Sequence, residues 1–134
     1  MADATITLIG NITRDPELKF LDSGTGAVRF GVAVNRKWKD KRGEPQEQTS
    51  FFDCSALGSI AENIANSLRK GDRVILSGTL EQRSWDDKDG NKRSTVEVKV
   101  EGIGPDLRWS TVATTKSGDT PYKAPKSDDG DWAF

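Results

Sequence analysis

Apolar and polar residues alternate over two long runs between residues 71 and 103. A polar segment containing Asp89 and Gly90 separates the two runs, which predicts a long β-hairpin. Because side chains alternate across a strand, the first run presents an apolar face made of Val74, Leu76, Gly78 and Leu80. The inner face of the second run consists of Val96, Val98 and Val100. The opposite face of the first strand carries Thr79, Glu81, Arg83 and Trp85.

Three shorter alternating runs precede the hairpin and predict three further strands, over residues 4–12, 27–37 and 49–57. Gly10 in the first strand is expected to mark a bend or a bulge. Between the first two strands, residues 14–16 and 22–26 are predicted as loops.

One helix is predicted between the third and fourth strands, over residues 59–69. Its apolar stripe repeats every four residues, at Ile60, Ile64 and Leu68. Ser59 and Glu62 have the spacing of a capping box, and a glycine follows the last turn. We expect this helix to cover one end of the sheet and to carry no chemistry.

Two aromatic residues, one on the third strand and one on the hairpin, fall where a packed core does not need them. Phe51 and Phe52 place an aromatic ring on each face of the third strand, and Trp85 lies on the polar face of the hairpin. Two interpretations stay open: half-buried strand-end residues, or platforms on which a flat ligand stacks. Taken alone, the residues favour the first interpretation, since isolated surface aromatics are common.

A dense basic segment surrounds a further aromatic residue, Trp38. Its cations are Arg36, Lys37, Lys39, Lys41 and Arg42. The segment is either a solvated loop beside a strand-end Trp or an electrostatic finger with an aromatic base platform, and the mixture of Trp with cations favours the second.

Composition limits the chemistry that is available. The chain has 134 residues, the size of one domain, and 34% of them are apolar, so part of the chain is expected not to pack. Cys54 is the single cysteine and there is no His, which leaves almost no ligands for zinc or haem. We therefore expect no metal and no cofactor. No signal peptide and no apolar run of roughly 18 residues is recognisable, so the expected compartment is the cytoplasm.

Charge points to a local binding surface, not a global one. The net charge is −1, and residues 1–110 hold 17 basic and 17 acidic residues. Any nucleic-acid-binding surface must then be a stripe of cations.

Composition changes after residue 110. Residues 111–126 are rich in Thr, Ser, Lys, Gly and Pro, which predicts a flexible linker. Residues 127–134 end the chain with an acidic tip that carries apolar groups, namely Asp128, Asp129, Asp131, Trp132 and Phe134. This tip is typical of a peptide that docks into a basic, apolar pocket of another protein; the alternative is an incidental terminus.

The predicted order of three strands, a helix and two strands is that of an OB-fold. Several segments carry a more specific likeness, namely residues 9–18, 30–35, 68–71 and 77–85. With these segments and the acidic tip, the chain resembles the bacterial single-stranded DNA-binding proteins (SSBs) over its whole length. The resemblance implies an all-β fold with one helix: a five-stranded Greek-key barrel with the helix between strands 3 and 4, over residues 1–110, followed by a disordered tail.

The resemblance also implies roles for individual residues. Trp38, Phe51 and Trp85 match base-stacking positions of the family, while the position of a further platform holds Leu57. Strand parity places Phe51 and Trp85 opposite the core, but Trp38 shares the parity of Val34, so a twist or bulge would have to re-aim it. The family's phosphate-contacting positions remain basic at Lys41, Lys70, Arg83 and Arg93. The full set of expected phosphate contacts is Arg36, Lys37, Lys39, Lys41, Arg42, Lys70, Arg83, Lys88, Lys92 and Arg93.

Departures from the family pattern imply weaker DNA binding than in a typical member. Positions that are often basic in the family hold Gln46, Asp53, Ser59, Glu81 and Ser84. Trp132 and Ala133 stand where Ile-Pro is common, which suits a phage-encoded or short-tailed paralogous member.

The resemblance implies a non-enzymatic homotetramer without a membrane partner, whose tips recruit replication, recombination and repair proteins. The leading alternative is an OB-fold protein–protein adaptor with weak DNA binding. A nuclease is a weaker alternative that would have to use the carboxylates of Asp86, Asp87 and Asp89. RNA binding stays open, since stacking alone does not distinguish RNA from DNA.

Overall fold

The computed structural model describes residues 3–116. This part of the chain contains one helix and six strands. In chain order they are β1 (Thr5–Ile12), β2 (Glu17–Phe20), β3 (Gly26–Lys39), β4 (Pro45–Leu57), α1 (Ser59–Ser67), β5 (Arg73–Asp86) and β6 (Lys92–Pro105).

Five of the strands close into a barrel. The sheet order is β1-β5-β6-β4-β3-β2, and β1 also pairs with β3 through Asn11 and Ala33. The pairing of β4 with β6 is parallel, at Asp53 and Glu97, whereas the other pairings are antiparallel. The predicted OB-fold is therefore confirmed, with the helix between the third and fourth strands of the barrel.

The core lies inside the barrel and under α1. Phe30 and Val74 have no exposed surface, and their burial removes apolar area from water. The helix packs on β2, β3 and β4, and contributes Ala61 and Ile64 to the core. The apolar positions predicted for the first hairpin strand lie on this inner side, with Leu76 buried and Leu80 packed against the core.

The structure corrects the predicted helix ends. Gly58 is the N-cap residue and no side chain caps the helix, so the predicted capping box of Ser59 and Glu62 is wrong. Ser59 is the first helical residue and so cannot occupy the capping position. The helix ends at Ser67, because Leu68 adopts an extended conformation, although the Leu68 side chain is still buried.

The structure also corrects three details of the strands. Strand β2 falls in a region where the sequence analysis predicted no strand. No bulge interrupts β1 at Gly10; the glycine is needed because a Cβ there would collide with the carbonyl oxygen of Ala33. Val96 is 55% exposed and does not belong to the inner face, because β6 at that point pairs with β5 alone and has no core opposite it.

Two hairpins extend beyond the barrel. Residues 35–49 of β3 and β4, called here the first arm, pair only with each other, as do residues 82–96 of β5 and β6, the second arm. The strand predicted to end at Lys37 continues to Lys39 in β3, so Trp38 lies on a strand and not in a loop. Solvent on both faces of the first arm explains why hydrophobic alternation did not predict residues 38–39 of β3 and 45–48 of β4 as strand.

Residues 106–116 contain no helix or strand. Most of the predicted linker and the whole acidic tip lie outside the described residues. The division into residues 1–110, 111–126 and 127–134 therefore stays a prediction. Within residues 3–116, no helix is long and apolar enough to span a membrane.

Candidate nucleic-acid interface

A groove crosses the outer face of the barrel from β2 to β5. Arg29 lies at its centre, where its two halves meet. The half towards β2 is lined by residues that include Glu17, Lys19, Leu57, Glu81 and Lys99. The half towards the second arm is lined by residues that include Arg14, Asp53, Arg83, Trp85 and Glu97.

Register brings three carboxylates into one row across this groove. Asp53 on β4 is paired with Glu97 on β6, and Glu97 is paired with Glu81 on β5. Directly paired residues point to the same face of a sheet, so the three acidic side chains are neighbours.

Each of these carboxylates has a basic partner. Arg83 Nη2 lies 3.5 Å from Oε2 of Glu97, and Lys99 Nζ lies 3.5 Å from Oε1 of Glu81. Arg14 Nη2 lies 3.7 Å from Oδ1 of Asp53. The groove is therefore nearly balanced in charge. Among the residues described, Arg29 is exposed and has no ion-pair partner.

The three predicted platform residues are all exposed. Phe51 is 74% exposed on the outer face of β4, and Trp85 is 47% exposed in the groove. Trp38 is 39% exposed on the first arm, where Arg36 stacks on its ring with Cζ 5.1 Å from the centroid. The half-buried interpretation therefore does not hold for Phe51.

Phe51 and Trp38 lie on opposite faces of the ribbon formed by β3 and β4. The β3–β4 register is unbroken from Ala27 to Lys39, so no bulge re-aims Trp38. Strong twist is typical of a two-stranded ribbon. Since no bulge is present, twist of the ribbon is what would allow both rings to contact one bound strand.

The cations predicted to contact phosphate are distributed over both arms and the end of the helix. Lys37 and Lys39 flank Trp38 in a shallow depression of the first arm. Lys41 and Arg42 lie in its turn, and Lys70 follows the helix, where its backbone N–H donates to Asp15 Oδ1 at 2.8 Å.

On the second arm, Lys88 lies in the turn and Lys92 begins β6. Arg93 is paired across the hairpin with Asp87, at 3.0 Å from Nε to Oδ2. Arg83 is paired with Glu97, so two of the predicted phosphate contacts already have an anionic partner within the chain.

The same turn ends both arms. Asp40 Oδ1 accepts the N–H groups of Arg42 and Glu44 at 2.8 and 2.9 Å, and Asp87 Oδ1 accepts those of Asp89 and Asn91 at 2.9 Å. The turns close on Gly43 and Gly90, whose φ angles are 78° and 80°.

These contacts assign a structural role to one carboxylate of the second arm. The hydrogen bond from the backbone of Asn91 and then the one from Arg93 lower the pKa of Asp87, so this carboxylate is ionised and organises the turn. Within residues 3–116, no three His, Cys, Asp or Glu side chains come close enough together to hold a metal ion.

Sequence reasoning missed Arg14 and Arg29 as groove residues. Arg14 follows β1 in a predicted loop, and nothing in its neighbours signals that it reaches Asp53 on β4. Strand alternation could have identified Arg29, because it places this residue on the same face of β3 as Ala33, opposite the core. The platform and phosphate roles of the predicted residues stay predictions.

Comparison with known proteins agrees with this architecture. A curated single-stranded DNA-binding protein of Mycobacterium leprae is 44% identical over 117 residues, which cover 86% of this chain and 70% of the relative. One of Mycolicibacterium smegmatis is also 44% identical over 117 residues, with 86% and 71% coverage.

The crystal structure of the small single-stranded DNA-binding protein from Streptomyces coelicolor superposes with a TM-score of 0.68 at 30% identity, covering 80% of this chain and 97% of that one. The model of the single-strand binding protein family matches residues 3–106. These residues span the whole barrel and both arms, and the chain therefore belongs to the single-strand binding protein family.

Proposed function

We propose that this protein binds single-stranded DNA without reading its sequence. Bases stack on the exposed rings of Phe51, Trp85 and Trp38, while Lys and Arg side chains pair with phosphates. The observation that carries the proposal is the exposure of all three rings, with cations beside Trp38 and Trp85, in a member of the single-strand binding protein family.

Stacking accounts for the lack of sequence preference, since every base has a π face. Each platform contributes roughly 1–3 kcal/mol by this mechanism. A duplex keeps its bases stacked on each other, so the exposed rings select single strands. The same stacking is available to RNA, because RNA bases present the same π faces to these rings.

Cations on the arms supply the second contribution. The first arm carries Arg36, Lys37, Lys39, Lys41 and Arg42. Neutralising phosphates releases counterions from the strand, so affinity falls as salt rises.

The balanced charge of the groove favours moderate affinity. Carboxylates are paired with Arg83, Lys99 and Arg14. A phosphate that binds these cations must displace the carboxylates. The same observation, with Leu57 in place of an aromatic residue, supports the alternative of a protein–protein adaptor that binds DNA weakly.

Assembly and partner recruitment form part of the proposal. Residues 5–10 of β1 pair with β5 on one side only, and the adjacent outer face exposes Ile9 and Ile75 at 45% and 42%. An unpaired strand edge beside an apolar face supports a homotetramer. The acidic tip that ends in Phe134 is proposed to recruit replication, recombination and repair proteins; deleting Phe134 should abolish capture of these partners and spare DNA binding.

A titration of the full chain with oligo-dT, followed by Trp fluorescence, tests the function. We expect quenching that saturates at moderate salt and an affinity that declines linearly with salt on logarithmic axes. Duplex DNA of the same length is the matched control. Absence of quenching by oligo-dT at moderate salt would favour the adaptor instead.

A further inference from the structure

Trp109 is an exposed aromatic residue outside the groove and both arms. It follows β6 and is 70% exposed. Two guanidinium groups contact its ring: Arg73 Cζ lies 4.9 Å and Arg108 Cζ 5.0 Å from the centroid. An exposed indole beside cations is the same combination that the arms present.

Hydrogen bonds hold the segment just before this aromatic residue on the barrel. Arg73 Nε donates to Asp106 Oδ2 at 2.8 Å, and the backbone N–H of Asp106 donates to the carbonyl of Arg73 at 2.9 Å. Asp106 Oδ1 also accepts the backbone N–H of Arg108 at 3.1 Å. The chain just before Trp109 is therefore fixed to the first residue of β5.

The charge that remains beside the indole belongs to Arg108. The hydrogen bond from Arg73 is the main cause that lowers the pKa of Asp106, so this carboxylate is ionised and offsets the charge of Arg73. Within residues 3–116, Arg108 has no ion-pair partner. Its guanidinium is free to leave the indole and meet an anion.

Sheet register connects Arg73, which contacts the Trp109 ring, to Phe51. Arg73 is paired with Asn11 on β1, Asn11 with Ala33 on β3, and Ala33 with Phe51 on β4. The four side chains form one row on the outer surface. Three strand steps of about 4.8 Å separate Arg73 from Phe51, or about 14 Å along the surface. This row contains no acidic residue, unlike the row of Asp53, Glu97 and Glu81 in the groove.

We propose that Trp109 is a further nucleobase-stacking site and that Arg108 is its phosphate contact. The site takes a nucleotide of the same single strand that covers Phe51, and so extends the bound strand around the barrel past Asn11. An incoming base replaces the Arg108 guanidinium on the indole, since base–indole stacking is stronger than an exposed cation–π contact. This inference rests on the proposed binding of single-stranded DNA.

The alternative is a purely structural role, in which Trp109 fixes the chain after β6 to the barrel. Length-dependent binding separates the two roles. Oligo-dT of about 5 nucleotides occupies the groove alone, whereas one of about 15 nucleotides can continue to Trp109, by the range of site sizes known for OB-folds.

The test uses the full chain with Trp109→Ala, Trp109→Phe and, as the matched control, Val112→Ala, which removes another exposed apolar side chain after β6. Trp109→Ala should weaken binding of the longer oligonucleotide about 5- to 150-fold and leave the shorter one unchanged. Trp109→Phe should restore most of the loss, and Arg108→Gln should reduce the salt dependence for the longer oligonucleotide alone.

Equal affinity of Trp109→Ala and the unaltered chain for the longer oligonucleotide would overturn the inference, and so would an equal loss at both lengths. If the alanine variant does not fold, a chain with Trp38, Trp85 and Trp132 replaced by Phe reports on Trp109 fluorescence directly. Quenching of that signal by the longer oligonucleotide alone supports the site, and its absence with both overturns it. Failure of the unaltered chain to bind either oligonucleotide would instead refute the proposed function.

Discussion

Arg83 on β5 and Glu97 on β6 form an ion pair at the base of the second arm, with Nη2 and Oε2 3.5 Å apart and the Glu97 side chain only 15% exposed. The pair lies beside Trp85, where a phosphate of bound DNA is expected. In the proposed binding mode, Glu97 takes the place of a phosphate beside Arg83 when DNA is absent, and its carboxylate would repel an incoming phosphate. We therefore expect this carboxylate to weaken DNA binding by competing with phosphate for Arg83.

Removing this competition should strengthen binding. Glu97→Gln keeps the shape of the side chain and frees Arg83, so we expect oligo-dT affinity to rise about fivefold, which corresponds to about 1 kcal/mol. The steeper salt dependence of the variant should appear in the same fluorescence titration, since one more cation is available to phosphate.

Glu62→Gln is the matched control, because Glu62 is exposed on α1 and lies outside the groove. Its affinity should equal that of the unaltered chain. A Glu97→Gln variant that binds no more tightly than Glu62→Gln would show that the ion pair does not compete with DNA.

Trp85→Ala should weaken binding and leave the fold intact. The ring is 47% exposed on the face opposite the core, and loss of one platform should lower affinity about 5- to 150-fold, for roughly 1–3 kcal/mol of stacking. Val96→Ala removes an exposed apolar side chain from the other face of the same arm and should bind normally. A large fall in Tm of Trp85→Ala, with normal affinity of the folded fraction, would identify Trp85 as a packing residue.

Burial should make Cys54 unreactive. Desolvation is the main cause that raises the pKa of the thiol to about 12, and the carboxylates of Asp53 and Glu97 add to it. Alkylation by iodoacetamide at pH 8 should be slower in the folded chain than in urea by on the order of a thousandfold, since the thiolate is the reactive form.

The same pKa shift predicts how stability depends on pH. The folded state holds the thiol proton more tightly than the unfolded state, whose thiol has a pKa of about 8.5. Stability should therefore fall as pH rises from about 8.5 towards 12. Urea unfolding of the unaltered chain and of Cys54→Ala at pH 8 and pH 10 isolates this contribution, because the variant lacks the thiol. Identical pH dependence of the two chains would contradict it.

The alternation of apolar and polar residues predicted the barrel strands, because burial of one face of a strand imposes that alternation. Val28, Phe30 and Val32 occupy every second position of β3, and the structure buries all three. In the arms, alternation does not indicate burial, because both faces of each arm meet solvent. Val96 alternates with polar residues and is nevertheless exposed. Strand β2 is four residues long and mostly exposed, which leaves no periodic signal.

The site was predictable only in part, for the same reason. Parity placed Phe51 and Trp85 on an outer face because each lies on a strand with a core side. The row of Asp53, Glu97 and Glu81 depends on the parallel pairing of β4 with β6, which joins segments far apart in the chain. No local pattern carries that information, so the ion pairs of the groove could not be anticipated.

Replacing Leu57 tests the path of the strand across the barrel. Leu57 is 51% exposed in the half of the groove towards β2, near Lys19 and Lys99. Leu57→Trp adds a platform there, and affinity for oligo-dT should rise about 5-fold or more, because one more base can stack. Val112→Trp places the same ring against α1 and outside the groove, so it should not change affinity. Equal affinities of the two variants would mean that the bound strand leaves the barrel at Trp85 and does not reach β2.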